Sequence, residues 1–181
     1  MEIWKEFEQN EITHSAAHYL MTINKLIDDQ GYARVSDVAR SLSITPGSAS
    51  IMLKSLKEKG FLEEDKNRFL RLSEPGDRLA HSIRSHRHIM ITFFRDVLHI
   101  NPEQAEIDAC KIEHLISTET GEHLLWFLQF LMCGDPQAKA FLELYWDSKD
   151  KLCNLASCPV CDKAGECLLV QIDTSEEKVT D

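Results

Sequence analysis

Residues 36–60 read SDVARSLSITPGSASIMLKSLKEKG and predict two short helices joined by a tight turn. Ser36 is a candidate N-cap for a first helix that ends near Leu42. Thr45 supplies a second N-cap, and Pro46 takes the first helical position, where a missing N–H costs nothing. Gly60 ends the second helix. Two short helices in this order predict a helix-turn-helix, whose second helix enters the major groove of DNA in proteins that use the motif.

The next segment, residues 61–72, has two short apolar runs separated by a polar turn and predicts a β-hairpin wing. Residues 34–87 carry eleven Lys and Arg against seven Asp and Glu, although the whole chain has a net charge of −10. This local positive charge favours phosphate contacts over a winged helix used only for packing or protein contact. The side chains predicted to contact DNA are Arg34, Ser36, Thr45, Pro46, Gly47, Ser48, Ser50, Lys54, Lys57, Lys66 and Arg68.

The remaining chain is mostly helical by its periodicity. A helix over residues 12–29 presents His14, His18 and Met21 as potential metal ligands, and a long helix over residues 74–97 follows the wing. Residues 121–132 are rich in Leu, Trp and Phe, which predicts a helix that supplies core or a dimer face. The fold class is therefore mainly α. We expect a winged helix-turn-helix domain at 1–74, a helical metal-binding and dimerisation domain at 75–150, and a Cys-rich tail at 151–181.

Cys110, Glu113 and His114 offer a thiolate, a carboxylate and an imidazole within five residues. On a helix their spacings of three and four place them on one face. This donor set suits a transition metal and suits Ca²⁺ or Mg²⁺ poorly. The alternative is a half-buried helix that carries a cysteine and an ordinary Glu–His pair.

A second set of metal ligands lies near the C-terminus. Four cysteines within fifteen residues follow the pattern C-x₄-C-x₂-C-x₅-C. A zinc knuckle is the leading interpretation, and an iron–sulfur cluster is the alternative because the first spacings resemble those of ferredoxins. Free thiols in a flexible tail are the third possibility. The cysteines are Cys153, Cys158, Cys161 and Cys167.

Composition narrows the class of protein. The acidic net charge argues against a protein that coats nucleic acid non-specifically. The N-terminus is polar and acidic, and no apolar run approaches the roughly 18 residues of a membrane span, so we expect a cytoplasmic protein without membrane contact. A thiol nucleophile or a metallohydrolase would use Cys110, Glu113 and His114, but no phosphate-binding loop or nucleophile elbow accompanies them. We therefore expect a protein that is not an enzyme.

The order of these parts resembles the DtxR/MntR family of metal-dependent transcriptional repressors. The resemblance covers residues 12–132 and is carried by residues 31–39 (GYARVSDVA), 72–76 (LSEPG), 87–88 (RH) and 108–114 (DACKIEH). It implies a homodimer that binds a palindromic operator when loaded with divalent metal, and that controls metal-ion homeostasis genes. The ligand positions that it implies are His18, Met21, His88, Cys110, Glu113 and His114.

The sequence departs from the family pattern at several of these positions. His18 stands where iron-type members carry Met and manganese-type members carry Asp, and Met21 stands at a Glu of the manganese type. Thr92 and Glu106 replace ancillary ligands of the iron type, which weakens the expectation of a second site. A thiolate at Cys110 favours Fe²⁺ over Mn²⁺. The sequence therefore predicts an Fe²⁺-responsive repressor, with an Mn²⁺-responsive one, or a redox or iron–sulfur sensor based on the tail, as alternatives.

Overall fold

The computed structural model describes residues 12–152, with side chains for residues 12–148. This part of the chain is mainly helical, with one small antiparallel sheet, as the sequence predicts. It divides into two compact units, one ending at Leu128 and the other beginning at Gln129. The elements are α1 (His14–Gln30), α2 (Val35–Ser41), α3 (Pro46–Glu58), β1 (Leu62–Glu64), β2 (Leu70–Leu72), α4 (Glu74–Thr92), a π-helical turn (Phe93–Val97), α5 (Pro102–Ile112), α6 (Thr118–Met132) and α7 (Pro136–Leu152).

The ends of α1–α3 follow from local capping. Thr45 caps α3, because its Oγ1 accepts a hydrogen bond from the N–H of Ser48 at 3.1 Å. Gly31 ends α1 at φ +81°, a left-handed conformation that glycine adopts without steric cost. The prediction that Ser36 caps α2 is wrong. Arg34 occupies the N-cap position with no side-chain hydrogen bond, so α2 begins one residue before Ser36.

The predicted wing is confirmed as the hairpin of β1 and β2, in which Leu62 pairs with Leu72 and Glu64 with Leu70. Its turn is closed by Asp65, whose Oδ1 accepts from the backbone N–H groups of Asn67 at 2.8 Å and Phe69 at 2.9 Å. The hairpin also joins the body of the domain, because the N–H of Leu70 donates to the carbonyl oxygen of Ala33 at 2.9 Å.

One apolar core joins α1, the helix-turn-helix, the wing and the first half of α4. Burial of these side chains removes apolar surface from water, which is the main force that holds the domain together. Helix α1 and α3, the second helix of the motif, are therefore packed into the same core. The largest fully buried apolar side chains are Leu20, Ile23, Val38, Leu53, Leu56, Leu70 and Ile83.

Helix α5 begins with a side-chain cap and a proline. Asn101 Oδ1 accepts from the N–H of Glu103 at 3.0 Å, and Pro102 takes the first helical position. The side chain of Gln104 does not return to the cap, since its Nε2 donates to Asp108 Oδ2 at 2.9 Å. Gln104 therefore bonds to a side chain one turn later in the helix instead of completing a capping box.

Helix α6 leaves a large apolar surface exposed. Trp126 is 57% exposed and Phe130 is 56% exposed, whereas Leu128 and Leu131 are buried. Exposed aromatic side chains at this density are unusual for a surface that faces water. Among the described residues, no helix combines the length and apolarity that crossing a bilayer requires.

We predict that Gly76→Ala destabilises the protein. Gly76 lies in the first turn of α4, and a Cβ atom built there would stand 1.9 Å from the carbonyl oxygen of Phe61. Overpacking against backbone typically costs about 1–3 kcal/mol, so the free energy of unfolding in a urea titration should fall by about 2 kcal/mol. Gly47→Ala is the control, because its Cβ would meet only Thr45 Oγ1 at 3.9 Å. Equal stability of both variants would contradict the close approach at Gly76.

Candidate metal centre and nucleic-acid interface

The first turns of α1 bring two imidazoles together. His14 and His18 are four residues apart, and their Nε2 atoms lie 3.1 Å from each other. Their ring centroids are 4.5 Å apart with an interplanar angle of 83°. The N-cap at Thr13 fixes this first turn, because its Oγ1 accepts from the N–H of Ala16 at 3.2 Å. The sequence therefore sets the pair of histidines through helix geometry alone.

Cys110 of α5 meets both histidines. Its Sγ lies 3.3 Å from His18 Nε2 and 4.0 Å from His14 Nε2. The three donor atoms all lie within 4.8 Å of one another. His18 and Cys110 are 92 residues apart in sequence, so α1 and α5 contribute two imidazoles and a thiol to one small volume. Both His18 and Cys110 are half-buried.

Burial favours the neutral form of the central histidine. It is the largest cause that lowers the pKa of His18, followed by the neighbouring charges of His14, Arg87 and His114. Burial and then His14 lower the pKa of His114 in the same way. Metal ions bind neutral imidazole, so protons compete less at these two rings than at an exposed histidine.

Glu113 is held apart from this cluster. Helix α5 ends at Ile112, and the Glu113 side chain is fully buried with Oε2 3.3 Å from Arg87 Nη1. Burial raises the pKa of its carboxyl, and the Arg87 guanidinium partly offsets that rise. Its Oε1 is buried without a hydrogen-bond partner. The carboxylate therefore faces α4. The prediction from helix spacing, that Glu113 shares a face with Cys110, does not hold because α5 ends before Glu113.

His114 lies beside the cluster, in the turn that follows α5. Its ring centroid is 5.0 Å from that of His14, and its Nδ1 is buried with no hydrogen-bond partner. A buried, unpartnered nitrogen is unfavourable unless another group satisfies it. Among the described residues, the cluster of mutually close donor atoms consists of His14, His18 and Cys110, and His114 is adjacent to it.

The structure leaves two of the implied ligands outside the cluster. Met21 is half-buried and packs against the apolar core of the domain. His88 is exposed on α4, where its charge helps to lower the pKa of Asp96, after the larger effects of Arg95. The residue that the implied ligand set omits is His14. Its four-residue spacing from His18 is the sequence signal, the same spacing that relates Cys110 to His114.

These residues fit a divalent transition metal. A thiol and two imidazoles converge, and the adjacent His114 has a buried Nδ1 without a hydrogen-bond partner. Soft sulfur and borderline nitrogen donors select transition metals over Ca²⁺ and Mg²⁺. The structure thus supplies donors from both α1 and α5 for one ion.

The exposed face of α3 is suited to a nucleic-acid groove. Thr45 and Ser48 share the cap through a contact of 2.9 Å between their hydroxyl oxygens, and Ser50 Oγ donates to the carbonyl oxygen of Pro46 at 2.8 Å. Ile51 is 75% exposed on this face, one turn before the exposed Lys54. The exposed isoleucine offers a base contact, and Lys54, whose Nζ lies 3.8 Å from Glu58 Oε1, offers a phosphate contact one turn later. Pro46 and Gly47 are also exposed here.

The wing presents positive side chains next to α3. Lys66 and Arg68 are exposed at its turn. Arg34 lies over the ring of Phe69 at 4.5 Å from its centroid, a cation–π contact that orients the guanidinium at the base of the wing. Lys57 forms an ion pair with Glu64 of β1, so its charge is partly neutralised within the domain. Ser36 is exposed on α2.

The four tail cysteines, Cys153, Cys158, Cys161 and Cys167, lie outside the described residues. The zinc knuckle and the iron–sulfur cluster that their spacing suggests stay predictions.

Solved structures share this fold. The chain is 24% identical to the manganese regulator SloR, with a TM-score of 0.58 over 65% of this chain and 55% of that one. It is 21% identical to the metal-dependent transcriptional regulator MtsR, with a TM-score of 0.59 over 66% of this chain and 55% of that one. For IdeR of T. acidophilum the identity is 29% and the TM-score 0.49, over 60% and 51% of the two chains. The chain thus spans about half the length of these proteins.

Two family descriptions match consecutive parts of the sequence. The N-terminal DNA binding domain of iron dependent repressors matches residues 11–70, which contain the helix-turn-helix and most of the wing. The metal binding and dimerisation domain of iron dependent repressors matches residues 73–139, which contain Cys110 and α6. With both domains in this order, the chain belongs to the DtxR/MntR family of metal-dependent transcriptional repressors.

Proposed function

We propose that this protein represses transcription by binding a palindromic operator as a homodimer when a divalent metal is bound between α1 and α5. The observation that carries the proposal is the distance of 3.3 Å between His18 Nε2 and Cys110 Sγ. One donor belongs to the helix that shares a core with the helix-turn-helix, and the other belongs to the domain described as metal-binding.

The arrangement supports coupling between metal and DNA. A divalent cation bound by both donors would cross-link α1 to α5. Since α1 packs in one core with α3, fixing α1 also restricts the position of the exposed face of α3. Two such faces in a dimer must match two successive turns of the major groove. By linkage, any gain in DNA affinity from metal equals the gain in metal affinity from DNA, typically about 1–3 kcal/mol.

The donor set favours Fe²⁺ over Mn²⁺ as the effector. Cys110 provides sulfur, and His14 and His18 provide nitrogen, whereas Mn²⁺ prefers carboxylate and other oxygen donors. The carboxylate of Glu113 is paired with Arg87. SloR is described as a manganese regulator, so an Mn²⁺ response is the alternative within the family. Comparing the two ions in one DNA-binding assay distinguishes them.

The exposed apolar surface of α6 supports a homodimer. Five large apolar side chains of this helix are more than a third exposed, and the matching family description assigns dimerisation to residues 73–139. A second copy of the chain would cover this surface symmetrically. The five side chains are Leu125, Trp126, Phe127, Phe130 and Met132.

We predict that His18→Ala removes the metal response of DNA binding. The variant loses the central donor, so the gain in affinity for the operator with Fe²⁺, expected at about 5- to 150-fold, should disappear. Fluorescence anisotropy of the reduced protein on the DNA upstream of its own gene, with Fe²⁺, Mn²⁺ or chelator, measures this gain. His81→Ala is the control, since His81 is an exposed histidine of α4 outside the cluster. A full metal response in His18→Ala would exclude His18 from the site.

We predict different effects for Ile51→Ala and Lys54→Ala on operator binding. Ile51→Ala should weaken binding to the specific duplex severalfold and leave non-specific binding unchanged, because the isoleucine contacts bases. Lys54→Ala should weaken both, and should reduce the slope of log affinity against log salt by about 1, because the lysine contacts phosphate. Salt titrations on a specific and a scrambled duplex distinguish these effects. Wild-type affinity in both variants would mean that this face of α3 does not contact DNA.

We predict that Trp126→Glu converts the dimer to a monomer. A carboxylate in the centre of the apolar surface would lose its hydration when the second copy docks. Sedimentation velocity at micromolar protein measures the change in mass. Ile51→Glu is matched to it, because it places the same charge on another exposed apolar residue, on α3, and should remain dimeric. A dimer that persists in Trp126→Glu would place the interface elsewhere.

A further inference from the structure

We infer that His14 is a metal ligand in this protein and that, with His18 and Cys110, it forms a two-imidazole, one-thiolate site that holds the divalent transition metal in four-coordinate geometry. The inference rests on the proposed function, since it specifies how that function's metal is held. It goes beyond the ligand set that the family resemblance implies, which contains no residue at the start of α1.

The distances between the donor atoms match those around a tetrahedral ion. Zinc–nitrogen bonds of about 2.0–2.1 Å and zinc–sulfur bonds of about 2.3 Å give edges of about 3.3 Å between two nitrogens and about 3.6 Å between nitrogen and sulfur. The observed separations are 3.1 Å for the two Nε2 atoms, and 3.3 and 4.0 Å from Sγ to the two nitrogens. Each lies within about half an ångström of the expected edge, so an ion needs little movement of the three side chains.

A bound cation also satisfies polar groups that the protein leaves poorly matched. Two imidazole nitrogens at 3.1 Å form a hydrogen bond only when one carries a proton and the other does not. A cation accepts the lone pairs of both, and of the thiolate, at the same time. His114 lies beside these three donors, with its ring against that of His14 and its Nδ1 buried without a partner, but it would have to move to become a fourth ligand.

The position of Glu113 explains why a carboxylate is not needed in this set. Arg87 engages its Oε2, and the backbone carbonyl of the same residue is 3.2 Å from His86 Nδ1. With Glu113 engaged by Arg87, the donors that α1 offers to the site are the nitrogens of His14 and His18. A set of imidazole and thiolate donors binds Zn²⁺ and Co²⁺ more tightly than Mn²⁺, both by donor type and by the general order of divalent affinities.

The test uses Co²⁺ as an optical probe on the reduced full-length chain under anaerobic conditions. The four tail cysteines are replaced by serine in every sample, so that Cys110 and Cys133 are the remaining thiols. Thiolate ligation produces a near-ultraviolet charge-transfer band, and four-coordinate Co²⁺ produces visible bands far stronger than those of six-coordinate Co²⁺. In this background we compare His14→Ala, His14→Cys, Cys110→Ser and the control His81→Ala.

The inference expects a distinct result for each variant. His14→Ala should weaken Co²⁺ binding at least about tenfold and reduce the visible bands, while the charge-transfer band persists. His14→Cys should retain tight binding and strengthen the charge-transfer band, which a purely structural role of the ring would not do. Cys110→Ser should abolish that band, and His81→Ala should match the parent. An unchanged affinity and spectrum in His14→Ala, or no thiolate band in the parent, would overturn the inference.

Thermal melting of the metal-free proteins separates ligation from folding. His14 is exposed at the first position of α1, so His14→Ala should melt with the parent in the absence of metal. The failure of the inference is also distinguishable from that of the proposed function. If His14→Ala binds Co²⁺ normally while the unmodified chain still binds its operator only with metal, the ligand assignment is wrong and the function stands. If operator binding ignores both metal and chelator, the proposed function fails.

Discussion

The attachment of Glu113 to α4 determines where the candidate metal-binding side chains lie. Arg87 holds the carboxylate and His86 contacts the backbone carbonyl of the same residue, so two consecutive residues of α4 fix the end of α5. A buried carboxylate without its cation is costly, which makes this attachment stable as long as both charges are present. Gly121 allows the α6 backbone to approach the His86 ring, since a Cβ there would lie 2.5 Å from Nε2. Cys110, one turn before Glu113, is thereby held against α1.

Local signals predicted most of the fold. Thr45 with Pro46 marks the start of α3, and Asp65 closes the wing through its own side chain. These features are encoded within a few residues, and the capping chemistry of each is the same in any protein. Ser36 shows the limit of that approach, because a good capping residue one position away does not decide where α2 begins.

The candidate site could be predicted only in part, because it depends on contacts between distant elements. The spacing of Cys110 and His114 gives a helical face, but it does not say that α5 ends at Ile112 or that Glu113 faces Arg87. Likewise, the spacing of His14 and His18 predicts two neighbouring rings without identifying the helix they face. The sequence contains both halves of the cluster, and the packing of α1 and α5 against α4 brings them together. The ion pair of Lys57 could not be predicted for the same reason, because its partner Glu64 belongs to a different element, the wing.

The shared core of α1 and α3 sets how strongly a ligand at His18 can affect DNA binding. A coupling of about 1–3 kcal/mol changes an equilibrium by about 5- to 150-fold, which is too small to reverse a strongly biased one. The metal-free protein must therefore sample the DNA-binding arrangement at a low but appreciable level for such a ligand to act as a switch. The already clustered donors His14, His18 and Cys110 agree with this requirement, because little rearrangement separates them from a bound geometry. Selectivity then depends on which donors surround the ion, and the coupling depends on how rigidly α1 transmits its position to α3.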